Sequence, residues 1–409
     1  MSVNIIYDWN GADYSSLHEK KSVCIVDETL RDGIQSPSIS MPDEEEMQSL
    51  ISVMDEIGIE FATIGYPGAS TKVKGAVEKL IEYKLNQGLQ IEMICAGRTV
   101  AADIQAIIDV SQNCGVAIDA NLFIGSSPVR QYVEGWDLQF ILEHVKKGVR
   151  FAVENGLRVC FLTEDTTRSN PEDLGPILET AIENGAYRIG ICDTVGHSTP
   201  QGVQSILKFA REVVKKSNPD VLIDWHGHND RGLALVNALV AVECGADRIH
   251  ATALGIGERV GNTSIEQLLV NLKLMGYPGK NLKLLRRYAE LVSASFKFPI
   301  PSNQPIFGLD AYRTGTGVHA SAIIKAEESG QSDLADLVYT SVPARELGFE
   351  QIIEVGPMCG KSNVVYWLKK RGIACDDTLV TDIFEEIKRK KTVLTDREIK
   401  GIINRHVTG

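Results

Sequence analysis

Short apolar runs alternate with longer amphipathic stretches from residue 22 to about residue 290 of the chain. The runs are rich in β-branched residues and apolar on both faces, which is typical of parallel strands covered by helices. Eight runs predict strands: Val23–Asp27, Glu60–Gly65, Gln90–Cys95, Ala117–Ile124, Arg158–Thr163, Arg188–Cys192, Val221–Trp225 and Arg248–Thr252. The stretches between them have helical periodicity and include Glu44–Ile57, Val73–Leu85, Trp136–Glu154, Leu174–Glu183, Pro200–Lys215 and Leu233–Glu243.

Eight strand–helix units in about 270 residues predict an α/β fold of the (β/α)8 TIM-barrel type, which usually needs about 250 residues. An open doubly wound sheet is the alternative. We assign residues 22–295 to the barrel and residues 1–21 to an N-terminal extension. After Pro301 the alternation stops, and residues 296–409 predict a mostly helical C-terminal appendage. Its helical stretches are Ala320–Glu328, Lys361–Arg371 and Thr378–Lys390.

The composition narrows the kind of partner that the chain can have. Its 42 Lys and Arg against 54 Asp and Glu give a net charge of -12, which disfavours binding to nucleic acid or to anionic lipid. We find no apolar run long enough to span a bilayer and no signal-peptide pattern. The 8 cysteines are scattered and never form CxxC, so we expect reduced thiols and a cytoplasmic enzyme that acts on small molecules.

Two predicted strand ends carry residues suited to a metal ion. His226 and His228 end the seventh strand, and because strand side chains alternate, both imidazoles point to the same side. Asp32 follows the first strand and can add a carboxylate oxygen at the same mouth of the barrel, beside the permanent cation Arg31. We therefore predict a divalent metal site at the carboxyl ends of the strands.

Other polar segments also follow strands, and two of them imitate nucleotide-binding motifs. The glycine-rich loop 255–262 has the wrong spacing for a dinucleotide fingerprint, so we expect it to bring Glu258 and Asn262 to the barrel mouth. Segment 355–362 resembles a P-loop but has Val355 where the first glycine belongs. Polar clusters at 164–168 and 193–196 end the fifth and sixth strands, on the face where barrels build their active sites.

Taken together, these motifs resemble the acyl-transferring branch of the metal-dependent barrel superfamily that contains 2-isopropylmalate, citramalate and homocitrate synthases. The matching segments are Leu30–Gln35, Gly65–Pro67, Phe123–Pro128, Glu164–Arg168, Asp193–Gly196, His226–Asp230 and Gly257–Asn262, with Gly317–Ala320 and Tyr339 in the appendage. The resemblance implies Mg²⁺, Mn²⁺ or Zn²⁺ bound by Asp32, His226 and His228. Asn262 would lie close by or bind the ion through water.

The resemblance also assigns roles in the reaction of acetyl-CoA with a 2-oxo acid. Arg31 would stabilise the developing oxyanion, and Glu164 and His319 would transfer protons. The appendage would supply His319 and Tyr339, with His319 reaching the other subunit of a homodimer. The substrate-binding residues would be Gln35, Asn121, Thr194 and Arg98. His319→Ala should then lower kcat while leaving the binding of the 2-oxo acid largely intact.

Several positions depart from the family pattern. Ile34 replaces an acidic residue, and Asn121 stands where many relatives have histidine. Homocitrate synthases have a basic residue where this chain has Cys160, which would leave a second substrate carboxylate without a cationic partner. We therefore expect an apolar acceptor such as 2-oxoisovalerate, unless Arg98 or Arg130 compensates.

The predicted reaction is a Claisen-type condensation of acetyl-CoA with a 2-oxo acid in amino-acid biosynthesis, giving a 2-alkylmalate and CoA, as in a 2-isopropylmalate synthase. A citramalate or homocitrate synthase-like activity is one alternative, and a metal-dependent carbon–carbon lyase or aldolase on the same barrel is another. Lyases of this type carry a cysteine in the strand-eight glycine loop, where this chain has none. A barrel that has lost its chemistry is a third. We also expect that no regulatory domain follows residue 409 and that leucine does not inhibit the enzyme.

Overall fold

The computed structural model describes residues 22–408 and positions 5, 7 and 10, so the predicted N-terminal extension lies outside the described residues apart from those three positions. The chain divides into two compact units, the first ending at Lys280 and the second beginning at Asn281. This division differs from the predicted limits 22–295 and 296–409 by one helix, Leu285–Ser295. Each unit is described by itself below.

The first unit contains a closed barrel of parallel strands in the order β1 to β8, which confirms the predicted fold class. Parallel pairing of β8 with β1, with Cys24 opposite Arg248, closes the barrel. The strands are β1 (Cys24–Asp27), β2 (Phe61–Gly65), β3 (Glu92–Arg98), β4 (Asp119–Gly125), β5 (Arg158–Glu164), β6 (Arg188–Asp193), β7 (Leu222–Gly227) and β8 (Arg248–Ala251). Their carboxyl ends therefore meet at one mouth of the barrel.

Helices follow each strand of the barrel. Several begin at a side-chain cap. At the start of the first helix, the Asp43 side chain accepts a hydrogen bond from the Glu46 amide at 2.9 Å, and the Glu46 side chain accepts one from the Asp43 amide. Their bounds are α1 (Glu44–Ile57), α2 (Thr71–Gln87), α3 (Ala101–Cys114), α4 (Pro128–Glu134), α5 (Leu138–Glu154), α6 (Pro171–Glu183), α7 (Pro200–Ser217), α8 (Ala234–Glu243) and α9 (Ile265–Leu274).

The second unit is mostly helical, as predicted. It contains α10 (Leu285–Ser295), α11 (Gly317–Glu328), α12 (Ser332–Leu337), α13 (Lys361–Lys370), α14 (Asp377–Lys388) and α15 (Asp396–Thr408), with a parallel pair of short strands, β9 (Arg313–Thr314) and β10 (Ile352–Ile353). Its largest apolar cluster joins α13, α14 and α15 around residues such as Leu368, Ile383 and Ile399. All 8 cysteines of the chain are free. No helix among the described residues is long and apolar enough to cross a bilayer.

Candidate active site

A cavity of about 260 Å³ opens at the carboxyl ends of the barrel strands. It brings together eight of the predicted site residues, namely Arg31, Asp32, Gln35, Asn121, Glu164, Thr194, His226 and His228. They come from β4, β5 and β7 and from the segments that follow β1, β6 and β7, so the closed barrel is what makes them neighbours.

The two histidines and Asp32 form a convergent cluster in this cavity. The Nε2 atoms of His226 and His228 lie 3.2 Å apart, and Oδ2 of Asp32 lies 3.7 Å from the first and 3.6 Å from the second. Asn262 donates a hydrogen bond from Nδ2 to Oδ1 of Asp32 at 2.8 Å. The amide oxygen of Asn262 is buried without a hydrogen-bond partner among the described residues.

The electrostatics of this cluster suit a divalent cation. Burial lowers the pKa of His226 to about 3 and also lowers the pKa of His228, so both imidazoles are neutral and keep a lone pair for a metal. Burial acts to raise the pKa of Asp32, but Arg31 and the two histidines outweigh it, so the net shift is downward and Asp32 stays a carboxylate. Two neutral imidazoles and one carboxylate fit Zn²⁺, Mn²⁺ or Mg²⁺.

A second histidine–carboxylate cluster lies beside the first, inside the barrel. His250 is buried between two acids, with Nδ1 2.9 Å from Oε1 of Glu28 and Nε2 3.3 Å from Oδ2 of Asp224. Burial acts to lower the pKa of His250, but the hydrogen bonds to Asp224 and Glu28 raise it overall. Although Glu28, His226 and His250 also lie close enough to hold an ion, a protonated His250 has no free lone pair for it.

Arg31 and Thr194 are both held by neighbouring groups at the cavity. Arg31 donates from Nε to Oε2 of Glu28 at 2.7 Å, and its Nη1 lies 3.2 Å from Oδ2 of Asp32. Thr194 accepts the Asp165 amide hydrogen through Oγ1 at 2.8 Å, so its hydroxyl hydrogen is available to an anion. Asp165 holds a left-handed conformation, with φ 61°.

Glu164 ends β5 at the edge of the cavity. Oε1 of Glu164 lies 3.0 Å from Nε of Arg130, which starts from the first turn of α4. Burial raises the pKa of Glu164 despite the opposing effect of Arg130. A carboxylate with a raised pKa is a suitable base near neutral pH.

Comparison with known proteins decides the family. The model of the HMGL-like family matches residues 22–292, more than half of the chain. The chain belongs to the HMGL-like family. The resemblance drawn from the motifs is thereby confirmed.

The relatives of this HMGL-like chain are acyltransferase-type synthases, which confirms the predicted class of enzyme. It is 31% identical to a homocitrate synthase of Methanopyrus kandleri over 93% of this chain and 91% of that protein. It is 32% identical to a 2-isopropylmalate synthase of Sulfurisphaera tokodaii over 90% of this chain and 91% of that protein. The HMG-CoA lyase structure from Brucella melitensis covers 67% of this chain and 98% of its own at TM-score 0.55 and 18% identity, which shows a shared fold.

One wall of the cavity in this HMGL-like chain is apolar. Ala96, Phe123, Leu162 and Cys192 line it, and Cys160 packs behind Leu162 and Cys192. Leu162 occupies space that a side chain at Gly190 would take, since a Cβ there would lie 2.7 Å from Cγ of Leu162. This wall therefore presents carbon and sulfur to a substrate.

An arginine at the rim of the cavity is already paired. Arg259 lines the cavity but donates from Nε to Oδ1 of Asp230 at 2.8 Å and from Nη2 to the backbone oxygen of Thr194 at 2.6 Å. No role was predicted for Arg259, although it belongs to the glycine-rich loop with Glu258, which also lines the cavity. Its position could have been predicted, because this loop was already expected at the mouth of the barrel.

Four of the predicted residues do not line the cavity, namely Asn262, which donates to Asp32, and Arg98, His319 and Tyr339. Arg98, with 60% of its side chain exposed, pairs with Asp103 at 2.8 Å and donates to the hydroxyl of Tyr66 at 2.9 Å. His319 and Tyr339 belong to the second unit, where their rings stack with centroids 3.9 Å apart. Both are exposed, and Tyr339 lines an open groove along α11. Their catalytic roles stay predictions.

The Glu28–His250 cluster was also missed. The sequence does contain a pattern that points to this cluster. Asp224 and His226 are two residues apart on β7, as Arg248 and His250 are on β8, so each pair lies on one face of its strand. Register pairs His226 with His250 across these two strands. The sequence shows which residues alternate, whereas the register that brings them together is a property of the closed barrel.

Proposed function

We propose that this chain condenses acetyl-CoA with a 2-oxo acid that has an apolar side chain, such as 2-oxoisovalerate, and releases CoA and a 2-alkylmalate. The observation that carries the proposal is the division of one cavity into two halves. One half contains the metal-type cluster with Arg31 and Thr194, and the other is the apolar wall of Ala96, Phe123, Leu162 and Cys192.

The polar half suits the head of a 2-oxo acid. When bound by Asp32, His226 and His228, a divalent ion supplies Lewis-acid polarisation of the keto group. The hydroxyl of Thr194 donates to the substrate carboxylate, and the guanidinium of Arg31 donates to the oxygen that becomes an alkoxide.

Glu164 supplies the proton transfer that starts the condensation. Its carboxylate accepts a proton from the methyl group of acetyl-CoA, and the resulting carbon forms a bond with the keto carbon. The keto oxygen takes up a proton and becomes the tertiary hydroxyl. Water then cleaves the thioester, giving a carboxylate and the free thiol of CoA, which makes the sequence irreversible.

The apolar half supports the choice of acceptor. A second carboxylate on the substrate would need a free cation, since an unpaired buried charge costs several kcal/mol. The cations at the rim are already paired, Arg130 with Glu164 and Glu134 and Arg259 with Asp230. An aliphatic side chain instead gains about 25 cal/mol for each Å² that it buries against the wall.

We further propose that the enzyme works as a cytoplasmic homodimer in which His319 and Tyr339 of one copy serve the other. Supporting this, both rings are exposed on the second unit and are stacked on each other. Mixing His319→Ala with Glu164→Gln tests it, because each heterodimer would regain one intact site. Activity restored to about a quarter of the native value supports exchange between subunits, and no restoration on mixing contradicts it.

The activity itself is tested by release of CoA thiol from acetyl-CoA across a panel of 2-oxo acids. The panel contains pyruvate, 2-oxobutyrate, 2-oxoisovalerate, phenylpyruvate, oxaloacetate and 2-oxoglutarate, each with and without a chelator. We expect release that depends on a branched or longer apolar acceptor and is lost on chelation. Faster turnover of 2-oxoglutarate, the acceptor of homocitrate synthases, than of every apolar acid would contradict the proposed acceptor.

Glu164→Gln is the matched variant in that assay, with Glu143→Gln on the outer helix α5 as control. Glu143 pairs with Lys147 at 3.2 Å, and 44% of its side chain is exposed. We expect loss of release by about 100-fold or more in the first variant and none in the second. Unchanged release in Glu164→Gln would remove it from the reaction.

A further inference from the structure

Charged residues form a buried line through the barrel interior, where branched aliphatic side chains ordinarily pack. The line runs from Asp119 through Arg248, Asp224, His250 and Glu28 to Arg31, so that acidic and basic side chains alternate along it. Successive separations are 3.5 Å, 2.6 Å, 3.3 Å, 2.9 Å and 2.7 Å. Arg188 joins it from the side, with Nη1 3.0 Å from Oδ1 of Asp224.

Stability does not account for this line. Removing an ion from water costs several kcal/mol, and apolar residues of similar volume are often neutral or stabilising in place of buried ion pairs. Arg248 has no exposed surface, and Glu28 and His250 are 1% exposed. The line ends at Arg31, the first member with a side chain that reaches the cavity, at 21% exposure.

Glu28 is the junction between this line and the cavity. Its Oε1 accepts a hydrogen bond from Thr63 at 2.9 Å and lies 2.9 Å from Nδ1 of His250, while Oε2 accepts from Nε of Arg31 at 2.7 Å. Both oxygens of the carboxylate are therefore engaged, and these contacts orient it towards Arg31. An arginine side chain has many rotamers, so a fixed partner at Nε restricts where its guanidinium points.

We propose that Glu28 is a positioning residue that fixes the guanidinium of Arg31 in the cavity, with Thr63 and His250 holding Glu28 in turn. The inference rests on the proposed function, in which Arg31 stabilises the developing alkoxide. It excludes Glu28 as a metal ligand, because its two oxygens are already engaged by Arg31, Thr63 and His250. Misplacing a reacting group by about 1 Å can cost about 100-fold in rate.

The test replaces Glu28 by glutamine in the full-length enzyme. We expect kcat for CoA release to fall between about 10- and 100-fold, with KM for the 2-oxo acid and the metal content per chain within about twofold of native. Unchanged kcat would overturn the proposal. Loss of the metal would also overturn it, because Glu28 would then be a ligand.

Glu266→Gln is the matched control. Glu266 is also buried in the first unit, at 1% exposure, and accepts hydrogen bonds from the Leu254 amide and the Ser264 hydroxyl, both at 2.7 Å. It does not touch Arg31, so kcat should stay within about twofold. If Glu28→Gln does not fold, Thr63→Val removes one support of Glu28 and should lower kcat a few-fold, and no decrease there contradicts the proposal.

A second readout does not depend on turnover. In ¹⁵N-labelled protein, the Nε–H of Arg31 should give a resolved signal protected from exchange, which is identified by its loss in Arg31→Lys. We expect Glu28→Gln to remove that protection and Glu266→Gln to keep it. A protected signal in Glu28→Gln would overturn the positioning role, whereas absent CoA release in the native enzyme would count only against the proposed function.

Discussion

Two histidine–carboxylate clusters lie side by side in this barrel, and they differ in the number of carboxylates that lie close to each imidazole. At the cavity, one carboxylate, Asp32, faces two imidazoles, and the pKa of each imidazole is lowered. Deeper in the barrel, one imidazole, His250, lies between two carboxylates and its pKa is raised. The ratio of acids to imidazoles therefore decides whether a buried histidine offers a lone pair to a metal or keeps a proton.

The largest effect should come from the cavity cluster. His226→Ala removes one of the three convergent ligand atoms, so we expect CoA release to fall by about 1,000-fold or more, because Lewis-acid polarisation is lost. His144→Ala, on the outer helix α5, is the control and should keep native activity. Substantial turnover in His226→Ala would show that the cluster does not serve the reaction.

Replacing the histidine of the deeper cluster should affect folding more than metal binding. His250→Gln leaves Glu28 and Asp224 without the cation between them, and breaking a buried pair costs about 3–5 kcal/mol. Urea denaturation should show that loss in the free energy of unfolding. A loss below about 1 kcal/mol would mean that the network does not depend on His250.

The two clusters should also respond to pH in opposite directions in metal-free protein. His250 has a raised pKa, so its stabilising contribution is complete below the usual value of 6.5 and declines as pH rises above it. His226 and His228 have lowered pKa values, so folding becomes less favourable as pH falls below 6.5. Each histidine changes the free energy of unfolding by about 1.4 kcal/mol per pH unit inside its window.

Urea titrations of the wild type and both variants between pH 5 and pH 8 measure these contributions. The stability deficit of His250→Gln relative to the wild type should shrink as pH rises above 6.5. The free energy of unfolding of His226→Ala should increase relative to that of the wild type as pH falls below 6.5. Parallel curves for both variants would show that the two clusters do not differ in protonation.

The smallest effect is expected at Arg98, which touches neither cluster. Its guanidinium pairs with Asp103 and Tyr66 away from the cavity. Arg98→Ala should therefore leave kcat/KM within about twofold of native, because neither Arg98 nor its partners Asp103 and Tyr66 line the cavity. A larger decrease, concentrated in KM for the 2-oxo acid, would restore Arg98 as a substrate-binding residue.

The barrel, its eight strands and most of the cavity residues could be predicted from the sequence. They depend on local periodicity and on the rule that the carboxyl ends of the strands share one face. The spacing of His226 and His228 was enough to place both imidazoles together. Arg98 could not be placed in the same way, because its competing partner Asp103 lies on the following helix. Glu28 was visible in the sequence, but its contacts depend on the register between strands.

The metal content of purified protein distinguishes the two clusters most directly, measured as divalent ions per chain in the wild type, His228→Ala and His250→Gln. We expect close to one ion in the wild type, none in His228→Ala and one in His250→Gln, because His228 offers a neutral nitrogen to the ion whereas His250 lies between Glu28 and Asp224. Loss of the ion in His250→Gln, or its retention in His228→Ala, would contradict the assignment of the two clusters.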